Sequence, residues 1–398
     1  MSTFKTVDDM QVSGKTVLVR CDLNVPMKDG IITDTTRIDR SLATLSELVD
    51  KGARVVVLSH FGRPKGHVVA KMSLRPIADA LAKKMGKDVA FASDCIGAAA
   101  SDVIASMNNG DISVLENLRF HSAEEANDAM FAGKLAALGD IYINDAFSCA
   151  HRAHASTEAI AQILPSAAGR LMQAELDALS NVLENPQHPV AALVGGSKIS
   201  TKMDVLGNLV VKSDVVIIGG AMANTFMYAQ GINVGKSLYE ADMAAQALDI
   251  IERAKTNNCE IVLPIDVAVA EKFAEGTANK VVAINMIPDE WMVLDFGPAS
   301  VADLKARLSQ CKTLLWNGPL GAFEVTPFDF GTNAVAREAA RLTTEGSLLS
   351  VAGGGDTVSA LANAGVTHDF SYISTAGGAF LEWIEGKELP GVEVLKNG

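Results

Sequence analysis

Short β-branched runs separated by amphipathic helical stretches recur along this chain, and that alternation constrains its fold more than any other feature. TVLVR (16–20), RVVVLS (54–59), VAFA (89–92), ISVLEN (112–117) and IYIND (141–145) have the length and side chains of buried strands. Stretches such as TTRIDRSLATLSELVDKG lie between them with apolar residues at helical spacing. Strand and helix in steady succession build a parallel sheet with helices on its faces. The rhythm restarts in AALVGG (191–196), DVVIIGG (214–220), IVLP (261–264), TLLWNGP (313–319), SLLSVAGGGD (347–356) and YISTAGG (372–378). Between the two series, AAGRLMQAELDALSNVLENP carries Leu171, Leu176, Leu179 and Leu183 as a helical stripe and stops at Asn185-Pro186. The expectation is an α/β protein of two Rossmann-like domains, each a parallel sheet flanked by helices, joined by an interdomain helix and hinge. The 398 residues suit that count, since a domain takes about 100–200.

Composition narrows the function classes. With 48% hydrophobic and 20% charged residues the chain belongs with ordered globular proteins. Its most apolar window, Leu209 to Ala223, is broken by Lys212 and Asp214, so no membrane span is expected. The start, MSTFKTVDDMQV, lacks the basic residues, apolar stretch and small-residue cleavage site of a secretory signal, which favours the cytoplasm. Cys21, Cys95, Cys149, Cys259 and Cys311 are odd in number and scattered, a pattern of reduced thiols rather than disulfides or a zinc knuckle. A net charge of −13 repels nucleic acid and anionic lipid. An anionic ligand must therefore be held by a local cluster of Arg and Lys.

That cluster is visible at the strand ends of the first half. Arg20-Cys21-Asp22-Leu23-Asn24, His60-Phe61-Gly62-Arg63, Leu118-Arg119-Phe120 and His151-Arg152-Ala153-His154 each follow a strand, with Arg37 at the start of the first helix. One such arginine would only pair with a surface carboxylate. Several together at strand exits offer planar forks of donors to a small phosphorylated acid. Asp22 and Asn24 either accept hydrogen bonds from substrate hydroxyls or form the turn before Pro26. Cys149, His151 and His154 do not read as a metal site, because no second ligand pair accompanies them and Arg152 sits between the histidines.

The strands of the second half end in glycines instead. Gly353-Gly354-Gly355-Asp356-Thr357 runs from a strand into a helical stretch, where glycines let phosphate oxygens approach and the helix start offers free N–H groups. Asp356 can then hold Mg²⁺ on those phosphates; the same triplet can also be a plain flexible turn. Gly195-Gly196-Ser197-Lys198 and Lys202 put two lysines four apart, on one helix face if a helix begins there. Trp316-Asn317-Gly318-Pro319 ends a strand in a tight turn, and Glu324 beyond it suits a ribose hydroxyl. Ligands of open α/β sheets bind beyond the carboxyl ends of the strands, so two kinds of strand ending imply two different ligands.

Other nucleotide readings fail on spacing. Gly231-Ile-Asn-Val-Gly235-Lys236-Ser237 is one residue short of a P-loop and follows a helical stretch. No G-x-G-x-x-G occurs, which weakens a nicotinamide dehydrogenase reading, and a mere phospho-metabolite sensor would need neither Lys198, Lys202 nor Asp356.

RCDLNVPM, SHFGRPKG, ENLRF, NDAF with AHRAHAS, GGSKISTK, WNGPLGAFE and VAGGGDT, in this order and across essentially the whole chain, resemble the phosphoglycerate kinase family. The resemblance implies a phosphotransferase of glycolysis and gluconeogenesis that moves a phosphoryl group from 1,3-bisphosphoglycerate to ADP. It implies substrate contacts from Asp22, Asn24, Arg37, His60, Phe61, Gly62, Arg63, Arg119 and Arg152. The nucleotide, ATP or ADP with Mg²⁺ on Asp356, would meet Lys202, Gly219, Gly220, Asn317, Pro319, Glu324, Gly353, Gly354, Gly355, Asp356, Thr357, Gly377 and Gly378. Arg37 and Lys198 would neutralise the phosphoryl group in flight. Two departures from the family pattern are Ala376, before Gly377-Gly378 where a third glycine is usual, and Ala221 after Gly219-Gly220.

Domains are accordingly expected at 1–170 for the phosphoglycerate and 186–378 for the nucleotide, with the interdomain helix at 171–185 and a segment 379–398 packing back on the first domain. Reactants on separate domains must come within about 3–3.5 Å, which predicts a hinge closure involving the 171–185 helix and the Ser374–Gly378 turn. The resemblance also implies a monomer.

Overall fold

The computed structural model describes residues 4–397 and divides the chain into two compact units, Met1–Asp177 with Glu388–Gly398, and Ala178–Lys387. The division falls inside the helix Arg170–Leu183.

The first unit is built on a six-stranded sheet in which every pairing is parallel, ordered Val89–Ala92, Ile112–Leu115, Arg54–Leu58, Thr16–Arg20, Ile141–Asn144 and Ser166–Ala168. Thr16–Arg20 is buried along its whole length, because helices such as Thr36–Asp50 and Arg75–Met85 cover one face while Gly97–Ala105 and Ala129–Ala136 cover the other. That two-sided burial is why these strands read as unbroken apolar runs rather than alternating ones. Counting strands along the chain, the order is 3-4-2-1-5-6, so the direction of winding reverses beside Thr16–Arg20. The last strand, Ser166–Ala168, was not foreseen.

Residues from Glu388 onward complete this unit. Asn144 Nδ2 donates to the carbonyl of Gly391 at 3.2 Å, and the Gly391 N–H donates to the carbonyl of Ala150 at 2.9 Å. Residues 379–387, expected to pack with them, belong instead to the second unit. The helix Gly378–Ile384 is held there by Asn208 Nδ2, which donates to the Ile384 carbonyl at 2.8 Å, and by the buried ring of Phe380 lying against Gly353.

The second unit repeats the scheme with Glu260–Val262, Val215–Ile218, Val190–Val194, Thr313–Asn317, Leu349–Gly353 and Tyr372–Ser374, again all parallel. Its order is 3-2-1-4-5-6, and the reversal falls between Val190–Val194 and Thr313–Asn317, where such sheets open a ligand crevice. Trp316 is fully buried under this sheet and meets the ring of Phe370 edge-on at 6.1 Å. A three-stranded antiparallel sheet of Asp266–Ala270, Asn279–Ala283 and Met292–Phe296 is added to the unit. No helix among the described residues is long and apolar enough to cross a membrane.

Candidate functional site

At the carboxyl end of the first sheet, polar side chains gather round Asp22. Its Oδ2 accepts from Arg37 Nη1 and from Ser148 Oγ, both at 2.5 Å, and its Oδ1 accepts from the Asn24 N–H at 3.1 Å. Burial works against ionisation here, yet interaction with His60 and Arg37 and the Ser148 hydrogen bond outweigh it and hold the carboxyl down at about 2. Asn24 Oδ1 accepts the Gly62 N–H at 2.9 Å, and Arg119 Nη1 donates to the Gly62 carbonyl at 2.9 Å, so the turn after Arg54–Leu58 is clamped from both sides. Gly62 sits at φ +63, a left-handed turn that suits glycine. Phe61 is fixed by Asn117, which accepts its N–H at 3.2 Å and donates to its carbonyl at 2.7 Å.

The arginines differ in role. Arg119 is buried, with Nε 3.3 Å from Glu125, whereas Arg37 is half-exposed. Arg63 and Arg152 are exposed and, among the described residues, neither forms an ion pair with a carboxylate. The charges of Arg37 and Arg119 act on His60, and that of Arg152 on Arg119. Cations without counter-charges beside this clamped turn are the feature that can attract an anion here.

Of the three residues dismissed as metal ligands, Cys149 does meet two others: its Sγ, a carboxylate oxygen of Asp22 and a ring nitrogen of His60 lie within 4.8 Å of one another. Arg20 Nη2, however, sits 3.1 Å from His60 Nδ1 and 3.9 Å from Cys149 Sγ. A guanidinium already stands where a cation would.

On the second unit the strand reversal opens a cavity of about 440 Å³. Gly220, Pro319, Glu324 and Asp356 line it, as do Leu238 and Phe273. Beside it, Asn317 joins three segments: its Oδ1 accepts from Lys202 Nζ, its Nδ2 donates to the Gly353 carbonyl at 2.7 Å, and its own strand leads into the Gly318-Pro319 turn. Thr357 Oγ1 accepts the Gly318 N–H at 2.7 Å, so this hydroxyl ties the turn to the helix Gly355–Ala364. The N–H groups opening that helix have no partner within it. Close approach explains Gly195 as well, since a Cβ there would stand 1.9 Å from the Pro319 carbonyl oxygen.

The two lysines do not share a helix face. The helix begins only at Met203, after a 3₁₀ turn over Ile199–Thr201, so Lys198 remains exposed while Lys202 folds inward to Asn317. Burial lowers the Lys202 pKa, against the pull of Asp356 and Glu385. Gly219 and Gly220 direct their N–H groups to the carbonyls of Val194 and Leu320, so these amides are occupied, and Gly220 supplies wall rather than a donor. Gly377, at φ +61, and Gly378 start the helix Gly378–Ile384 and do not line the cavity. Ala376 is buried without a positive φ, so the Cβ introduced there meets no backbone strain; the left-handed position belongs to Gly377.

Sequence reasoning overlooked Ser148, Leu238, Phe273 and the stretch Met292–Phe296, which lines the cavity from the antiparallel sheet. Within that stretch Asp295 is buried, with Oδ1 and Oδ2 accepting the N–H groups of Phe296 and Gly331 at 2.8 and 2.7 Å, and burial pushes its carboxyl up to about 8.

Asp356 is exposed in the first turn of its helix and faces the cavity. An exposed carboxylate at the start of a helix beside this cavity fits Mg²⁺, which keeps several waters and takes its remaining ligands from phosphate oxygens.

The family model described as phosphoglycerate kinase matches residues 7–387. A phosphoglycerate kinase of Rhodospirillum centenum is 61% identical over 392 residues, 98% of this chain and 99% of that one. One of Methylorubrum extorquens is 58% identical over 397 residues, covering 100% and 99%. The solved structure of phosphoglycerate kinase from Coxiella burnetii superposes with a TM-score of 0.93 at 41% identity, covering 99% of each chain. Sequence motifs, sheet order and these relatives agree, and the chain belongs to the phosphoglycerate kinase family.

Proposed function

We propose that this chain catalyses reversible transfer of the acyl phosphate of 1,3-bisphosphoglycerate to ADP, giving 3-phosphoglycerate and ATP. The observation that carries the reading is the Asp22 cluster, where Arg63 and Arg152 have no carboxylate partner among the described residues, beside a clamped turn. In this reading Arg37, Arg63, Arg119 and Arg152 bind the acid's phosphate and carboxylate, Asp22 and Asn24 orient its hydroxyl, and His60 adds a donor. Phe61 and Gly62 shape the turn.

The nucleotide takes the glycine-lined cavity. Its phosphates meet Lys202 and the N–H groups opening the helix at Gly355, Asp356 and Thr357, its base lies along Gly219, Gly220 and Pro319, and its ribose reaches Glu324. Gly353 and Gly354 carry the turn, Asn317 holds Lys202, and Gly377 and Gly378 are kept as outlying candidates. Asp356 would hold Mg²⁺, which supplies charge neutralisation on the phosphate oxygens when bound.

Transfer from an acyl phosphate needs no general base, because the departing carboxylate is weakly basic. What the chain must supply is placement and positive charge, from Arg37 and the exposed Lys198. We also read the protein as a cytoplasmic monomer. Five free, buried cysteines support a reducing compartment.

The test is coupled ATP formation from 1,3-bisphosphoglycerate, ADP and Mg²⁺, with Lys198→Ala alongside. Activity that collapses in the variant supports both reaction and residue. A folded wild type that binds 3-phosphoglycerate yet forms no ATP would sink the kinase reading.

A further inference from the structure

Arg20 closes the strand Thr16–Arg20 and is 1% exposed, so it cannot itself present its charge to a ligand in the open. A guanidinium has donors only and keeps its proton at any ordinary pH. Here those donors are assigned: Nε donates to Ser156 Oγ at 2.8 Å, Nη1 to the Cys21 carbonyl at 2.6 Å, and Nη2 faces His60 Nδ1 at 3.1 Å. Ser156 anchors the arrangement. Its Oγ donates to Glu124 Oε1 at 2.6 Å and its N–H donates to Glu124 Oε2 at 3.0 Å, with Glu124 wholly buried.

Because Arg20 can only donate, His60 Nδ1 can only accept. A neutral imidazole with one nitrogen accepting carries its proton on the other. Protonating Nδ1 would set two N–H groups head to head and two cations side by side with little water to screen them.

We propose that Arg20 is a positioning residue that fixes His60 as a neutral Nε2–H donor, so that His60 gives the substrate a directed hydrogen bond and leaves positive charge to the arginines. The role at the substrate rests on the reading of this cluster as the phosphoglycerate site; the tautomer does not. The groups acting on the ring come from several elements. Arg20 and Asp22 approach from the first strand's exit, Arg37 from the helix Thr36–Asp50, Arg119 from the turn Leu118–Phe120, and Cys149 from the turn Phe147–Cys149. Burial, then Arg20, press the imidazole toward its neutral form, with Arg119 and Arg37 adding to them and only Asp22 opposing. A neutral donor also selects ligands by direction, where a histidinium would attract small inorganic anions from any side.

The experiment records long-range ¹H–¹⁵N correlations of the histidine rings in the full-length protein labelled with ¹⁵N-histidine, His60 being assigned by its absence in His60→Gln. The expected wild-type signal is the Nε2–H tautomer, unchanged between about pH 5 and 8. In Arg20→Met the ring should begin to titrate within that range, and Arg20→Lys, which restores a donor, should restore part of the lock. A wild-type His60 that titrates in that range, or shows the Nδ1–H tautomer, overturns the proposal whether or not the Arg20 variants fold. Adding 3-phosphoglycerate should shift the Nε2 signal. A fixed tautomer with a signal unmoved by saturating 3-phosphoglycerate overturns the donor role and points to failure of the site reading, not of the lock.

Discussion

Asn317 Nδ2 donates to the Gly353 carbonyl at 2.7 Å while the oxygen of the same amide accepts from Lys202, so one side chain sets the spacing between a strand end, a glycine turn and a lysine. Replacing it with leucine leaves a buried carbonyl and a half-buried ammonium without partners. Asn317→Leu should cost about 1–3 kcal/mol in urea unfolding. Calorimetric titration should show weaker ADP binding, with 3-phosphoglycerate unaffected.

Asp22 stays ionised at ordinary pH, where it restrains Arg37 and receives Ser148. Asp22→Asn frees the arginine and replaces the charged acceptor assigned to the substrate hydroxyl with a weaker, neutral one. The KM for 3-phosphoglycerate should rise about tenfold, the equivalent of about 1.4 kcal/mol, with the KM for ATP little changed. Steady-state kinetics in both substrates checks this.

Gly354 adopts φ +98, and a Cβ there would stand 2.7 Å from Asn317 Nδ2. Gly354→Ala should lose about 1–3 kcal/mol of stability together with nucleotide affinity. Its neighbour provides the control, because a Cβ on Gly355 meets nothing within 4 Å and its φ is not positive. Gly355→Ala should unfold at nearly the wild-type urea concentration.

Buried carboxyls give the protein a pH dependence of definite sign. Burial raises Asp295 to about 8 and Asp145 to about 7. Between the usual carboxylate range near 4 and those values, the folded chain keeps protons that the unfolded chain releases. These two groups therefore make stability fall as pH rises through that window, and their contribution levels off above about 8. Asp295→Asn should reduce the decline in urea midpoint between pH 6 and about 8; an unchanged slope would remove Asp295 as its source.

Chelating Mg²⁺ should stop ATP formation, and Asp356→Asn should raise the Mg²⁺ concentration needed for half-maximal rate while leaving 3-phosphoglycerate binding intact. A metal titration of the rate in both proteins measures this directly.

Legibility in the sequence followed burial. Parallel strands covered on both faces, such as Val190–Val194, stand out as apolar runs. Asn279–Ala283 escaped notice because it is largely exposed and reads NKVVA, and Ser166–Ala168 because SAA has too little side chain to form a pattern. Among the site residues, strand exits located the arginines, but side-chain type does not tell a buried arginine from an exposed one. Arg20 and Arg63 look alike in sequence, yet one organises a buried network and the other remains open to solvent. The paired lysines were misjudged for a related reason: the 3₁₀ turn that separates Lys198 from Lys202 leaves no mark on periodicity.

The first unit takes its final piece from beyond Lys387, where Gly391 bonds to Asn144 and Ala150. On the ribosome, its six strands emerge early and must wait until the whole second unit has been synthesised before that piece arrives. During translation the first unit is thus an unfinished body while the second can close as one continuous segment, so the order of synthesis is the reverse of the order of completion.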